Sequence, residues 1–375
     1  MPTPEFPLVE DLIYLNHAAV APWPDRTRKA VVEFAEQNGH YGAAFYPDWL
    51  KKESLLREQL QALINAPSPD DIALVKNTSE ALSFVAYGLD WQAGDNIVTS
   101  NEEFPSNRLP WESLAGQGVE LRQADLYSAA SPEEALFALV DRNTRLLTIS
   151  SIQFATGLRL DIERIGEFCK RRNILFCVDA IQSIGAVRFD VQACQADFVM
   201  ADGHKWMFGP EGLGVFYTTP EARDRLKLTQ FGWHMMKDTH NYENKPWELH
   251  PAARRFECGS PNMLGIHALS ASVSLLLDTG MESVETLLFE RIDYLREHIE
   301  RHAGLALLSP APSMLKSGIV VFRHEKIANP ALYQHLMQQK VICALRGAGI
   351  RFSPHFYNGL DQIDRALAII DRYPG

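Results

Sequence analysis

The chain has 375 residues, 46% of them apolar and 22% charged, with 47 acidic against 36 basic residues and a net charge of −11. That length suits two domains of roughly 150 residues or more rather than one small module, and the composition is that of a globular protein, not a disordered one. The negative charge repels a phosphate backbone and an anionic membrane surface, so neither a nucleic acid nor a membrane is expected as a partner.

At the N-terminus, MPTPEFPLVEDLIYL puts acids and prolines where a signal peptide needs a basic start and an apolar run. Through the first 220 residues, short apolar runs then alternate with helix-period segments, the pattern of crossover units building a parallel sheet. Strands are predicted at Ile97–Ser100, Val119–Arg122, Arg145–Ser150, Leu175–Asp179, Phe198–Ala201 and Leu213–Tyr217, mostly continuous in apolar residues as strands buried on both faces are. Helices are predicted at Thr78–Leu89, Ser106–Gln117, Pro132–Val140 and Ile162–Arg172. The last carries Ile162, Ile165, Phe168 and Cys169 on one face and ends in Lys170, Arg171 and Arg172, read as a solvated helix end.

From Phe231 to Ser260 the pattern breaks into aromatic, His and Pro residues over a stretch too long for a mere connector. Helical segments follow at Asn262–Asp278 and Ser283–His302. The uncharged window Cys258–Leu277 reads as a buried helix, not a membrane span, because Gly259, Ser260, Pro261 and Asn262 crowd its start. Strand-like Gly318–Phe322, Val341–Leu345 and Ile350–Ser353, with helical Pro330–Gln339 and Asp361–Arg372, predict a small α+β layer. The expected organisation is a large domain over residues 15–280 and a small one from residues 1–14 and 281–375. Five widely spaced cysteines with no C-x-x-C pair point to a reducing, cytoplasmic compartment and to no zinc site.

Three segments carry chemistry. Asp202-Gly203-His204-Lys205-Trp206 follows an apolar strand and precedes a glycine-rich turn, a place where a lysine can form a Schiff base, although a surface lysine in a turn fits the pentapeptide as well. Cys177-Val178-Asp179-Ala180-Ile181-Gln182-Ser183 ends an apolar strand in a carboxylate, which either meets a cation such as a protonated pyridine nitrogen or caps the next helix. Lys76-Asn77-Thr78-Ser79-Glu80 opens a helix with small hydroxyl residues, as an anion site or as a capping box. Together they supply what pyridoxal 5'-phosphate requires of a protein: a phosphate cradle, a partner for the ring nitrogen and a lysine.

The ordered set Tyr14-Leu15-Asn16-His17-Ala18-Ala19, Asn77-Thr78-Ser79-Glu80, Val178-Asp179-Ala180-Ile181-Gln182, Gly203-His204-Lys205, Phe256-Glu257-Cys258-Gly259-Ser260-Pro261-Asn262 and Ile350-Arg351-Phe352-Ser353-Pro354-His355 resembles the class V aminotransferases of fold type I. These include cysteine desulfurases, selenocysteine lyases, kynureninase and isopenicillin N epimerase. The resemblance implies an α/β fold: a large domain with a mainly parallel seven-stranded sheet and a small C-terminal α+β domain. It implies that Lys205 holds the cofactor and moves the proton at the substrate α-carbon, that His204 positions lysine or phosphate, that Asp179 pairs with the pyridine nitrogen and that Gln182 bonds the phenolic oxygen. Thr78 and Ser79 would hold the phosphate and Phe104 would stack on the ring. Arg351 would grip the α-carboxylate of an amino-acid substrate, with Asn16, His17 and Ala18 beside it. Ser260 would reach the phosphate of a partner subunit, since the family site lies at a homodimer interface.

Departures narrow the expected reaction. Phe104 stands where many desulfurases have a stacking His, which loses an acid/base group. The loop Arg346-Gly347-Ala348-Gly349-Ile350-Arg351 lacks the nucleophilic cysteine of desulfurases, and Cys343 lies in an apolar run. The family's Asn near the phenolic oxygen falls around Gln153 and Phe154, and Asp202 replaces a Ser expected near the phosphate. The expected activity is transamination or β-elimination at the α-carbon without a persulfide. Epimerisation, desulfuration or selenocysteine lysis, and a non-catalytic binding scaffold are the alternatives. The loop histidines His234, His240 and His250 lack metal-ligand spacing, and no dinucleotide, Walker, metalloprotease or serine-hydrolase motif occurs. Phe231, Trp233, His234, Trp247 and the segment His40–Trp49 could line a substrate pocket or pack as core and interface.

Overall fold

A short N-terminal strand, β1 (Ile13–Tyr14), is followed by seven strands of one sheet: β2 (Ile72–Val75), β3 (Asn96–Ser100), β4 (Glu120–Ala124), β5 (Thr144–Ser150), β6 (Leu175–Asp179), β7 (Phe198–Asp202) and β8 (Gly214–Thr218). The computed structural model describes residues 5–239, 243, 246–310 and 315–373. The sheet order is β2-β8-β7-β6-β5-β3-β4, with only β8 running against its neighbours. The expected mainly parallel seven-stranded α/β architecture is therefore present.

Helices cover both faces, which is why the central strands read as unbroken apolar runs. The two-residue alternation sorts their side chains into separate cores. Val178, Val199, Ala201 and Val215 pack with Leu56, Leu60, Ile266, Leu269 and Val273 on one face. Cys177, Phe198, Met200 and Phe216 pack with Leu82, Phe84, Val85 and Trp111 on the other. Helix Met263–Thr279 is apolar on nearly every side because it lies in the first of these cores. Among the described residues no single helix is long and apolar enough to cross a membrane.

Among the described residues six strands lie outside that sheet, β1 and five more. Those after the long helix Met281–Arg301 are β9 (Leu305–Leu307), β10 (Val320–His324), β11 (Val341–Ile342), β12 (Ala344–Arg346) and β13 (Gly349–Phe352). The order β12-β13-β10-β9 is wholly antiparallel, and β11 pairs in parallel with β1. A separate core joins Leu288, Ile292, Leu295, Val320, Phe322, Leu332, Ile350 and Phe352 with Trp206, the neighbour of Lys205.

Two expectations need correction, and two helices were not foreseen. Val341–Leu345 is two strands, because β11 pairs with β1 and β12 with β13, so the chain changes partner at Cys343. Ser106–Gln117 is a 3-10 turn Pro105–Asn107, a short helix Leu109–Glu112 and a second 3-10 turn Ser113–Gln117. Pro110 supplies no N–H and sits where a proline is tolerated, in the first turn of a restarted helix. Helices Asp25–Tyr41 and Tyr46–Ile64 were not anticipated. The first fully buries only Thr27 and half-buries the short stripe Ala30, Val31 and Phe34; beside the contact of Phe34 with His267, polar contacts dock it on Met263–Thr279, with Thr27 Oγ1 2.6 Å from Ser272 Oγ and Arg26 bonded to Ser274 and Asp278.

Candidate active site

The parallel strands β5, β6 and β7 end in Ser150, Asp179 and Asp202 at one edge of the sheet, the edge where open α/β sheets bind ligands. A cavity of about 290 Å³ opens there, and its walls include Thr78, Ser79, Phe104, Asp179, Gln182, His204, Lys205 and Arg351 together with Ala18. Residues from six separate segments thus meet at one place, and among the described residues Lys205 is the only lysine on its walls.

Asp179 is 2% exposed and accepts a hydrogen bond from Ile181 N at 3.0 Å. A turn follows it rather than a helix, so it is not a helix cap. Burial above all pushes its carboxyl up from the ordinary range, Glu103 adds to that, and Lys205 opposes it. Lys205 is half-buried, its ammonium 5.7 Å from the centroid of the Phe104 ring. Burial lowers its pKa, and the positive charges of Arg351 and Arg346 act in the same direction, which favours the nucleophilic amine. Gly185, at φ 93°, leaves the backbone of Trp206 room to lie against it; a Cβ there would stand 2.4 Å from Trp206 O.

Asn77 caps the helix Thr78–Gly88 by accepting from Glu80 N at 2.9 Å, while Glu80 accepts from Lys76 N at 2.8 Å. Capping is thereby complete without Thr78, whose buried Oγ1 has no partner; Ser79 Oγ donates to Ser106 Oγ at 2.8 Å. Gln182 accepts from Trp206 Nε1 at 2.8 Å and donates to Ala18 O at 3.1 Å, leaving its second N–H available. Arg351 is 1% exposed, donates once to Phe154 O at 2.8 Å, and its Nε is without a partner. No carboxylate pairs with it among the described residues. Phe104 is 43% exposed and meets Phe154 edge to face at 5.1 Å.

These features fit pyridoxal phosphate. A buried carboxylate lacks a contacting cation, a buried hydroxyl beside a helix N-terminus lacks an acceptor, an amine sits at lowered pKa, and a buried guanidinium lacks an anion. Asp202 also faces the cavity, its Oδ1 3.2 Å from His204 Nδ1 although the two are not aligned as a hydrogen bond.

Several expected residues lie elsewhere. His17 is fully buried, with Nδ1 2.8 Å from Ser353 O and Nε2 2.7 Å from the Tyr357 hydroxyl. Burial drops its pKa to about 4, so a neutral imidazole holds two parts of the fold together and does not reach the cavity. Asn16 does not line it either; its backbone bridges to Ser353. Gln153 is buried, donates to Glu103 Oε1 at 2.6 Å and does not line the cavity. Ser260 is exposed and borders a different cavity with Lys76, Glu80 and Asn262. None of the aromatic residues proposed as pocket lining, Phe231, Trp233, Trp247 or those of His40–Trp49, reaches the cavity within one chain. His234 bonds Arg254 at 2.7 Å and His250 accepts from Ala252 N; His240 lies outside the described residues. No cluster suited to a metal occurs among the described residues.

Sequence reasoning missed Ser106, Ser150, Ile152 and Arg346 on the walls. It also missed the buried carboxylate of Glu103, which accepts from Ser150 N and Oγ, Ser100 Oγ, Asn107 Nδ2 and Gln153 Nε2. An acid followed by Phe104 gave no signal that it turns inward. Cys169, Cys177, Cys194 and Cys343 are buried, Cys258 is half-buried, and none touches the cavity.

Comparison with known proteins agrees with this site. The family model "Aminotransferase class-V" matches residues 13–365. A "Probable cysteine desulfurase" of Methanothermobacter thermautotrophicus is 30% identical over 96% of this chain and 94% of its own length. An "Uncharacterized aminotransferase YcbU" of Bacillus subtilis is 28% identical over 87% and 85%. Among solved structures, the apo cysteine desulfurase of Thermococcus onnurineus NA1 superimposes with a TM-score of 0.86 at 24% identity, covering 98% of this chain and 96% of that one. The complex of the cystine C-S lyase C-DES with its product cysteine persulfide gives 0.90 at 22% identity, covering 99% and 100%. By its matched length and its lysine-centred cavity, the chain belongs to the class V aminotransferases, enzymes that depend on pyridoxal phosphate.

Proposed function

We propose that this enzyme acts at the α-carbon of an amino acid or amino-acid derivative, by transamination or β-elimination of the C–S lyase type, without a persulfide on the protein. The observation that carries the reading is Arg351: a buried guanidinium with no acid partner among the described residues, on the wall of the cavity that holds Lys205. Its planar fork suits a carboxylate, and the low-dielectric setting strengthens that contact. The bound cofactor supplies an electron sink for negative charge at the α-carbon. Asp179 would hold the ring nitrogen protonated, Thr78 and Ser79 would bind the phosphate with the helix N-terminus, and the second N–H of Gln182 would reach the phenolic oxygen. Phe104 would cover one ring face. Lys205, kept short of full protonation by burial, would hold the cofactor and move the α-proton, with His204 as its neighbour.

Within this reading residues 15–280 form the cofactor-binding domain and residues 1–14 with 281–375 the small one. The enzyme works as a homodimer, which would bring Ser260 to the partner's phosphate. The largely exposed helix Asp25–Tyr41 and exposed Tyr41 and Phe45 offer apolar surface for such a contact. Five free cysteines suit the cytoplasm.

Cysteine desulfuration is the second reading, favoured by the name of the relative at 30% identity. Against it stands the burial of Cys343, the cysteine nearest Arg351 in sequence, whose thiol burial pushes up to about 12. The test mixes the cofactor-loaded enzyme with a panel of amino acids, follows the cofactor spectrum and assays keto acid, ammonia, sulfide and D-isomer. Keto acid or ammonia without dependence on a protein thiol is expected; a spectrum that no amino acid changes contradicts the reading.

A further inference from the structure

The hairpin that carries Arg351 brings a second guanidinium to the same cavity. In the β12–β13 pair, Ala344 lies opposite Arg351, Leu345 opposite Ile350 and Arg346 opposite Gly349. Side chains alternate along a strand and directly opposed residues share a face. Arg351, Ala344 and Arg346 therefore project to one side of the hairpin, and Leu345 and Ile350 to the other. Arg346 is the diagonal neighbour of Arg351, a relation that sets such residues about 7–8 Å apart. Gly347, at φ 53°, supplies the left-handed residue of the two-residue turn and so fixes Arg346 at its edge.

Both arginines line the cavity, yet only Arg351 is buried. Arg346 is exposed and donates to the carbonyl of its own neighbour, Leu345, at 2.9 Å. Two other arginines near the surface of this acidic chain meet carboxylates on their own helices, Arg171 with Glu167 at 2.7 Å and Arg108 with Glu112 at 2.6 Å. Arg346 pairs with none among the described residues. Its charge instead bears on Arg351 and Lys205, and lowers the pKa of each. The fold thus holds like charges together around one side of the cavity, an arrangement that an anion relieves. The cavity's own carboxylates, Asp179 and Asp202, stand at the ends of β6 and β7 instead.

We propose that Arg346 is a specificity-determining residue that binds a second carboxylate, at the end of the substrate's side chain, while Arg351 holds the α-carboxylate. This rests on the reading of the cavity as an amino-acid site, and it names the substrate class as acidic amino acids or derivatives with a terminal carboxylate. The diagonal spacing matches a molecule with a few carbon atoms between its two anionic groups.

Calorimetric titration of the cofactor-loaded enzyme with glutarate and with pentanoate, chains of equal length with two carboxylates and one, reads this directly and requires no turnover. Glutarate is expected to bind at least about tenfold more tightly, the scale of one charge-assisted contact. The ratio should fall towards unity in Arg346→Gln and persist in Arg346→Lys. A parallel titration of the cofactor spectrum should favour L-glutamate over L-glutamine in the same way. Equal binding of glutarate and pentanoate by the unmodified enzyme, or a ratio that Arg346→Gln leaves unchanged, overturns the proposal. A spectrum that responds to L-glutamine as strongly as to L-glutamate sinks the role of Arg346 alone, whereas one that responds to no amino acid sinks the amino-acid reading as well.

Discussion

Replacing Arg351 by Met separates two consequences of burying a guanidinium without an acid. The side chain is 1% exposed, with one hydrogen bond to a neutral acceptor, Phe154 O, at 2.8 Å. Removing an ion from water costs several kcal/mol even after relaxation, and a hydrogen bond from a charged group returns about 1.5–3 kcal/mol. Methionine preserves most of the aliphatic packing and removes the ion, while leaving Phe154 O without that donor at about 1–3 kcal/mol. The balance favours a substrate-free enzyme more stable by about 1–4 kcal/mol, as for other buried ions replaced by apolar side chains. The same change deprives a substrate carboxylate of a contact worth about 1.5–3 kcal/mol, or roughly 10- to 150-fold in apparent affinity. Denaturant unfolding of the cofactor-loaded enzyme without substrate tests the first effect, and amino-acid titration of the cofactor spectrum tests the second. A less stable variant whose amino-acid affinity stays within about twofold, or about 0.4 kcal/mol, would refute the reasoning.

Burial raises the Asp179 carboxyl above its ordinary range, so in the cofactor-free protein its contribution to stability is present in acid and is lost as pH climbs from about 4 towards neutrality. Asp179→Asn should reduce that loss, and equal pH dependence of the unfolding midpoint in both proteins would count against it. Replacing each of the five cysteines by Ala in turn should leave turnover within a few-fold, less than about 1 kcal/mol in barrier. A thousandfold loss at one of them, about 4 kcal/mol, with a trapped persulfide there, would put desulfuration first. Sedimentation should report a dimer, and mixing Lys205→Ala with Ser260→Asp chains should restore partial activity through one hybrid site; an active monomer would contradict this.

The elements most legible in the sequence were those whose pattern is set by burial. Leu175–Asp179 and Ile162–Arg172 appear with the predicted bounds, because a strand covered on both faces and a one-sided amphipathic helix each leave a periodic trace. Asp25–Tyr41 left only a short one, Ala30, Val31 and Phe34, since much of its docking runs through Arg26 and Thr27. In the site, residues at strand ends and helix starts were readable because backbone position alone aims them at the sheet edge. Thr78, Asp179 and Lys205 belong to that class. His17 was not, because its side-chain direction depends on Ser353 and Tyr357, more than 330 residues away in the chain. Arg346 was missed for a similar reason: the face it shares with Arg351 follows from strand register, and Val341–Leu345 read as one strand hid the hairpin that sets it.

The central claim is that Lys205 is the residue that holds pyridoxal phosphate. Among the described residues it is the only lysine on the walls of a cavity that also contains Asp179, Thr78 and Arg351. Borohydride reduction of the cofactor-loaded enzyme, followed by peptide mass mapping, tests this most directly. The account predicts one phosphopyridoxyl adduct per chain, on the peptide containing Lys205; an adduct on another lysine such as Lys76, or a protein that takes up no cofactor and carries no adduct, would contradict it.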